Sequence, residues 1–466
     1  MAIQSINPAT GEINREFAPF DKKRVNEILK GSKKAYANWK SQSLEERCKA
    51  LRSLAAVLLK NKEEYARMIT IEMGKPIAQA RAEIEKCAST AQLYAENSKK
   101  WLMDEEVDAD GKRHLITFEP IGTILCVMPW NFPFWQALRF AIPSLALGNV
   151  VILRHSNSVP MCAVAIEDAF RQAGFPENVF TTVITEHKMV EYMIKSKMIE
   201  GVSVTGGFGV GSMVGKIAGK SVKKSVLELG GNDAFIVLED ADIDFAAKNA
   251  VVGRMQNNGQ SCIAAKRFIL VKEIADRFTE KFAQEVRNLK VGNPMDASVD
   301  VGPLANERQV ATLREQVDDG VAKGARVIVG GKKIDGKGAF YAPTVITNVK
   351  KDMKIMNEEI FGPVAPIIIA KNEKDAIRIA NDSDLGLGAS IWTSDEERGL
   401  RVARQIEAGM VFINGIVKSD ARMPFGGIKR SGVGRELSKY GLREFANVKT
   451  INLYSASREV ERHVSE

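Results

Sequence analysis

From Ile121 onward, short apolar segments of strand length alternate with longer segments of helix length, and this rhythm constrains the chain more than any other feature. Ile121 to Met128, Val150 to Leu153, Val179 to Ile184 and Gly201 to Thr205 read as buried strands, with Trp135 to Leu147 and Cys162 to Ala173 between them as helices. Strand, helix, strand in that order joins parallel neighbours, so the pattern predicts a parallel sheet with helices on its faces. A second series runs through Ala234 to Leu238, Phe268 to Val271, Arg326 to Val329, Val364 to Ala370, Ala389 to Trp392 and Met410 to Ile413. At 466 residues the chain exceeds the ~250–300 residues at which one core stops growing. The predicted fold class is therefore α/β, with two α/β domains in tandem joined near Glu228 to Asn232, where Gly230-Gly231 punctuates the chain.

The first hundred residues read as helices, Lys23 to Trp39, Leu44 to Lys60 and Ile77 to Trp101, with apolar positions at three-to-four spacing. Val107 to Phe118 alternates around Asp110-Gly111 and predicts a projecting hairpin in search of a partner sheet. The tail from Ser455 to Glu466 is polar and reads as frayed.

A formal charge of +8 is spread along the sequence without a basic run interleaved with aromatics, so no nucleic-acid partner is expected. The apolar stretch from Ile121 to Leu153 is broken by Pro129, Asn131, Pro133, Arg139 and Pro143, and no membrane span is expected there. Cys48, Cys87, Cys126, Cys162 and Cys262 are odd in number and never closely paired, which predicts no metal site and a reducing compartment. With no secretory pattern at Met-Ala-Ile-Gln-Ser-Ile-Asn, a cytoplasmic location follows.

Cys262 stands out chemically. Cys48, Cys87 and Cys162 fall within helical periodicity and Cys126 within a strand, whereas Gly259-Gln260-Ser261-Cys262 lies on a turn between the helix Ile243 to Gln256 and a strand. A thiol nucleophile usually has a histidine base, but His114, His155, His187 and His463 lie in no motif; the hairpin and tail hold two, and the two that follow strands read as solvated. The partner is then a carboxylate. Glu228, apolar-flanked and followed by Gly230-Gly231, is either a buried base of raised pKa or a solvated charge at a strand end. Gly206-Gly207-Phe208-Gly209-Val210-Gly211 follows a strand and opens a helix, as a pyrophosphate cradle or simply as a tight turn. Asn131, between two prolines and two aromatics at a strand end, is an oxyanion donor or a turn former.

Pro129-Trp130-Asn131-Phe132-Pro133, Glu228-Leu229-Gly230-Gly231, Gly259-Gln260-Ser261-Cys262, Glu358-Glu359-Ile360-Phe361-Gly362-Pro363 and Pro424-Phe425-Gly426-Gly427-Ile428-Lys429 occur in this order over nearly the whole chain. Together they resemble the aldehyde dehydrogenase superfamily. The resemblance implies two Rossmann-like domains: a cofactor-binding one at 1–106 and 119–229, a catalytic one at 230–427, a return to the first at 428–445, and an oligomerisation element at 107–118 and 446–457. It implies NAD or NADP as cofactor, with Cys262 attacking the aldehyde, Asn131 holding the oxyanion and Glu228 activating the water that hydrolyses the thioester. Trp130, Gly206, Gly207, Gly211, Leu229, Glu359 and Phe361 fall at cofactor positions, and a homodimer or homotetramer is implied.

Asn257 to Arg267 and Arg154-His155-Ser156 look most like the succinate-semialdehyde dehydrogenase branch, in which Arg139 would bind the substrate carboxylate and Ser419 assist. This sequence departs from the pattern in places. Arg154 stands for the usual cofactor-binding lysine, and Asn157 for the acid that contacts the adenosine ribose, which removes repulsion against a 2′-phosphate. Gly207 replaces a serine and is followed by Phe208-Gly209, which removes a hydroxyl donor and adds bulk at the cofactor, lowering its affinity or altering its pose. Gln256 replaces a second arginine, which weakens carboxylate binding and leaves lactaldehyde or glyceraldehyde as alternative substrates. A cofactor-independent thioesterase or acyltransferase and a non-enzymatic relative are the remaining readings.

Overall fold

The computed structural model describes residues 2–455, so His463 and the tail from 456 lie outside the described residues. The predicted rhythm takes shape as two sheets. The first has six strands in the order Gly432–Val433, Lys224–Glu228, Gly201–Thr205, Thr123–Met128, Val150–His155 and Phe180–Thr182. All its neighbours are parallel except Gly432–Val433, which returns late in the chain to pair antiparallel with Lys224–Glu228. Strands are added on one side of Thr123–Met128 and then on the other, so the loops after Thr123–Met128 and Gly201–Thr205 flank a crevice at the carboxyl ends, where open α/β sheets bind ligands.

The second sheet has seven strands, in the order Arg326–Val329, Thr344–Thr347, Val364–Ala370, Arg267–Val271, Ala234–Val237, Gly388–Trp392 and Met410–Ile413. Only the edge strand Arg326–Val329 runs antiparallel to its neighbour. Its core is aromatic: Phe235 stacks on Trp392 at 5.0 Å and lies 5.1 Å from Phe268. The predicted hairpin forms from Glu105–Val107 and Arg113–Pro120, and Ala446–Leu453 adds to it as a third antiparallel strand.

The helix starts follow local chemistry. Asp21 accepts from the Arg24 amide at 2.8 Å, and Ser43 and Glu46 form a reciprocal capping box before Leu44–Lys60. Pro133–Leu147 is buried at every position, between the first sheet and the N-terminal helices. Its opening amides, Phe134 and Trp135, donate to Glu83 Oε1 at 3.0 and 2.9 Å, and Glu83 is ion-paired with buried Lys75. The negative carboxylate thus meets the positive end of a helix that has no water to satisfy it.

Three expectations need correction. The N-terminal region is not helix alone, because Ile3–Ile6 and Ile13–Phe17 form an antiparallel hairpin whose second strand is largely exposed and so carries little apolar alternation. A further helix, Lys62–Met73, follows Leu44–Lys60 after the single residue Asn61 and ends on Gly74 at φ 79°. His155 is not solvated. It ends a buried strand, its Nε2 lies 2.9 Å from the Pro133 carbonyl, its Nδ1 accepts from the Ser156 amide, and burial pulls its pKa down to about 4.

Candidate active site

The turn carrying Cys262 is set by two asparagines in a conformation that most side chains avoid. Asn257 and Asn258 lie at φ 57° and 58°, just after the helix Ile243–Met255, in the left-handed region that asparagine tolerates best after glycine. Their carboxamides fix the turn: Asn258 Nδ2 donates to the Gly74 and Pro303 carbonyls, and Asn257 Nδ2 to the carbonyls of Asn131 and Gln260, all at 2.8 Å. Gly259 at φ 73° lets Gly362 approach where a Cβ would sit 2.3 Å from its carbonyl group.

Cys262 lies where two cavities meet. One, of about 170 Å³, is lined by Lys86, Trp135, Arg139, Gln256, Ser419 and Phe425 among others, together with Cys262 and Gln136. The other, of about 240 Å³, is lined by Trp130, Asn131, Gly206, Gly207, Leu229, Glu359 and Phe361, again with Cys262 and Gln136. Burial pushes the Cys262 thiol up to about 11, while the charges of Lys266 and Arg139 pull it down. Lys266, fully buried, donates to the Ser261 carbonyl at 2.9 Å and sits 3.3 Å from Glu359.

Asn131 follows the strand Thr123–Met128 and donates through Nδ2 to the Gln260 carbonyl at 3.1 Å, which leaves one of its two amide hydrogens uncommitted in a residue that lines the same cavity as Cys262. Glu228 closes the strand Lys224–Glu228 and is 2% exposed, which rules out the solvated strand-end charge. Neither carboxyl oxygen has a hydrogen-bond partner among the described residues. Burial and then Glu436 raise its pKa far above the carboxylate range, against Arg139 and Arg435. Glu228 borders neither cavity, facing instead Gly426, whose absent Cβ would lie 2.6 Å from Oε1.

The glycine-rich turn fits a phosphate. Phe208–Lys220 begins on Gly207, which provides no side-chain cap, and a Cβ built on Gly207 or Gly209 would meet nothing within 4 Å. The first amides of that helix are therefore free to face an anion. Gly211 serves packing: a Cβ there would sit 2.3 Å from Leu229. Gly230 allows Glu359 in, since a Cβ would lie 2.2 Å from its Oε2, and Glu359 Oε1 accepts from the Gly231 amide at 3.1 Å. Trp130 and Phe361 meet edge to face at 5.6 Å across the same cavity.

Arg154 and Asn157 sit apart from both cavities, at the end of Val150–His155, with Arg154 donating to Asn157 Oδ1 at 3.0 Å and to the Thr185 carbonyl at 3.1 Å. Arg139 lines the smaller cavity, but its guanidinium is ion-paired with buried Glu436 and donates to Thr205 Oγ1 at 3.3 Å. Sequence reasoning missed Glu436, Lys86, Gln136 and the anchoring role of Asn257. The positive φ of an Asn-Asn pair before glycine was the one local signal available.

A pair of largely parallel sheets and a glycine turn open to an anion define a dinucleotide-binding architecture, with a buried thiol at the junction of two cavities. The sequence profile of the Aldehyde dehydrogenase family matches residues 1–451. A probable succinate-semialdehyde dehydrogenase [NADP(+)] from Synechocystis sp. is 45% identical over 451 residues, covering 97% of this chain and 99% of that protein. Succinate-semialdehyde dehydrogenase [NADP(+)] 1 of Mycobacterium tuberculosis is 45% identical over 454 residues, covering 97% and 99%. The crystal structure of succinic semialdehyde dehydrogenase from Streptococcus pyogenes in complex with NADP+ superposes with a TM-score of 0.95 at 36% identity, covering 97% of this chain and 100% of that one. The chain belongs to the aldehyde dehydrogenase family, and it is an NAD(P)-dependent oxidoreductase acting on aldehydes. Among the described residues no helix is long and apolar enough to cross a membrane, and no cluster of three or more metal-ligating side chains occurs.

Proposed function

We propose that the chain oxidises succinate semialdehyde to succinate with NADP, through a thiohemiacetal and then a thioester on Cys262. The observation that carries this reading is the placement of one thiol at the meeting of two cavities, one lined by Trp130, Gly206, Gly207, Leu229, Glu359 and Phe361 and the other by Arg139 and Ser419. In the first cavity these residues would hold the cofactor, with Gly211 keeping Leu229 in place. When bound there, the nicotinamide supplies the hydride acceptor that turns the thiohemiacetal into the thioester.

Each remaining step falls to a residue of the chain. Cys262 Sγ gives its proton to water and adds as the thiolate to the aldehyde carbon, and the free Asn131 amide hydrogen and the Cys262 backbone amide take up the negative oxygen. Burial raises the Glu228 pKa above the ordinary carboxylate range and so makes its carboxylate a stronger base, which draws a proton from the water that attacks the thioester. To do so it turns from Gly426 toward the thiol, and its lack of hydrogen-bond partners leaves little to hold it back.

For the cofactor, Asn157 beside Arg154 offers a cation and no carboxylate near the end of the second strand, which favours a 2′-phosphate. The domain division stays as the family resemblance implies, with residues 1–106 and 119–229 holding the cofactor and 230–427 the thiol. The three-stranded sheet at 105–120 and 446–453 leaves Val448, Ile451 and Leu453 exposed and is the surface on which copies of the chain would associate. Five free thiols suit the cytoplasm.

Initial rates with succinate semialdehyde, lactaldehyde and glyceraldehyde, each with NAD and with NADP, test the proposal. The highest kcat/KM is expected for succinate semialdehyde with NADP. A higher value for either hydroxyaldehyde, or steady turnover by Cys262→Ser, overturns it.

A further inference from the structure

The cavity opposite the cofactor side requires a positive group if the substrate carries a second, carboxylate end, and the arginine facing it is already committed. Arg139 is neutralised by Glu436 in a pair buried on both sides. Gln256, also in the lining, carries no charge, and Lys418 is exposed to water. One further cation remains in the wall.

That cation is Lys86, on the inner face of Ile77–Trp101. Its ammonium lies 4.2 Å from the centre of the Trp135 ring and donates to Ser419 Oγ at 2.6 Å. No carboxylate among the described residues pairs with it, and the ammonium keeps further N–H donors beyond the one Ser419 accepts. Ser419 is buried, accepts from Lys86, and has no acceptor for its own hydroxyl hydrogen among the described residues. An ammonium and a hydroxyl side by side, both with a hydrogen to give and both bordering the cavity that reaches Cys262, form a receptor for one carboxylate.

Resting on the reading above, we infer that Lys86, seated by Trp135 and Ser419, is the specificity-determining residue that binds the substrate's distal carboxylate. Trp135 and Phe425 then line the path of the intervening methylenes. Desolvation strengthens such a pair, because each charge has lost water that the other replaces. Burial lowers the Lys86 ammonium to about 8, further influenced by Cys87, Arg139, Glu83 and Asp420, so it remains mostly charged at neutral pH. This placement also accounts for a carboxylate site in a chain with glutamine at position 256.

The test compares succinate semialdehyde with butanal, which has the same chain length and no carboxylate, using the full-length enzyme with NADP. In Lys86→Met the ratio of kcat/KM for the two aldehydes is expected to fall about tenfold or more, carried by KM for succinate semialdehyde, while Lys86→Arg keeps most of the wild-type ratio. Ser419→Ala, measured alongside, lowers the same ratio. An unchanged ratio in Lys86→Met and Ser419→Ala, with the wild type still preferring succinate semialdehyde, overturns the inference and leaves the proposed function standing. Equal losses for both aldehydes mark a structural role and overturn it too. A wild type that does not prefer the acid-bearing aldehyde overturns the proposed function and this inference together.

Discussion

The side-chain amide of Asn257 donates at 2.8 Å to the backbone carbonyl of Asn131, tying the turn that carries Cys262 to the loop that carries Asn131. In the proposed reaction these two groups surround one aldehyde oxygen; they sit on connections of different sheets, and this bond holds their spacing. Replacing Asn257 with Ala or Gly is expected to lower kcat/KM about tenfold or more, since buried carbonyls lose their donor. The Gly variant should melt at the higher temperature of the two because it accepts φ 57° without strain. Equal melting temperatures with unchanged kinetics would contradict this assignment.

Alkylation of the cofactor-free protein by iodoacetamide reads the Cys262 thiol directly. With the thiol at about 11, the reactive thiolate should increase roughly tenfold per pH unit between about pH 7 and 9. A plateau reached by about pH 8 would show that Lys266 and Arg139 outweigh burial.

Glu228→Ala removes the group assigned to the second half-reaction. A burst of reduced nicotinamide, close to one per active site, is expected to survive while steady turnover falls about a hundredfold or more. Stopped-flow absorbance distinguishes this from loss of the burst itself, which would move Glu228 into the first half-reaction.

Two glycines of one turn should respond oppositely. Gly211→Ala drives a methyl into Leu229, with an expected loss of about 1–3 kcal/mol and a higher KM for NADP. Gly207→Ser meets nothing within 4 Å and adds a helix cap, so a slightly higher Tm is expected with cofactor affinity kept. Thermal melts with and without NADP measure both, and a destabilised Gly207→Ser would refute the open cradle.

Val448→Asp combined with Ile451→Asp places one charge on each face of the strand Ala446–Leu453, where both side chains are exposed. Light scattering should then show a smaller particle than the wild type. An unchanged mass would place any association elsewhere.

Much of the architecture was legible because buried parallel strands write themselves as apolar runs: Ala234–Val237 and Val364–Ala370 fall where the pattern puts them. The hairpin Ile3–Ile6 with Ile13–Phe17 was not, since an exposed edge strand has no such pattern. At the site, local chemistry singled out Cys262, Glu228 and Asn131, each flanked by residues that restrict it. Lys86 and Glu436 stayed hidden for a physical reason. A charged residue looks the same in sequence whether it faces water or the interior, on a helix as Lys86 is or on the connection before one as Glu436 is. Only the fold shows that Lys86 meets Ser419 and Glu436 meets Arg139.

Gly432–Val433 pairs with the strand that ends at Glu228, and Gly426 and Glu436 surround that carboxyl. A polypeptide still emerging from the ribosome therefore carries Cys262 before the wall around Glu228 exists. Newly made copies should gain steady turnover only once residues 426–436 have wrapped back around that carboxyl.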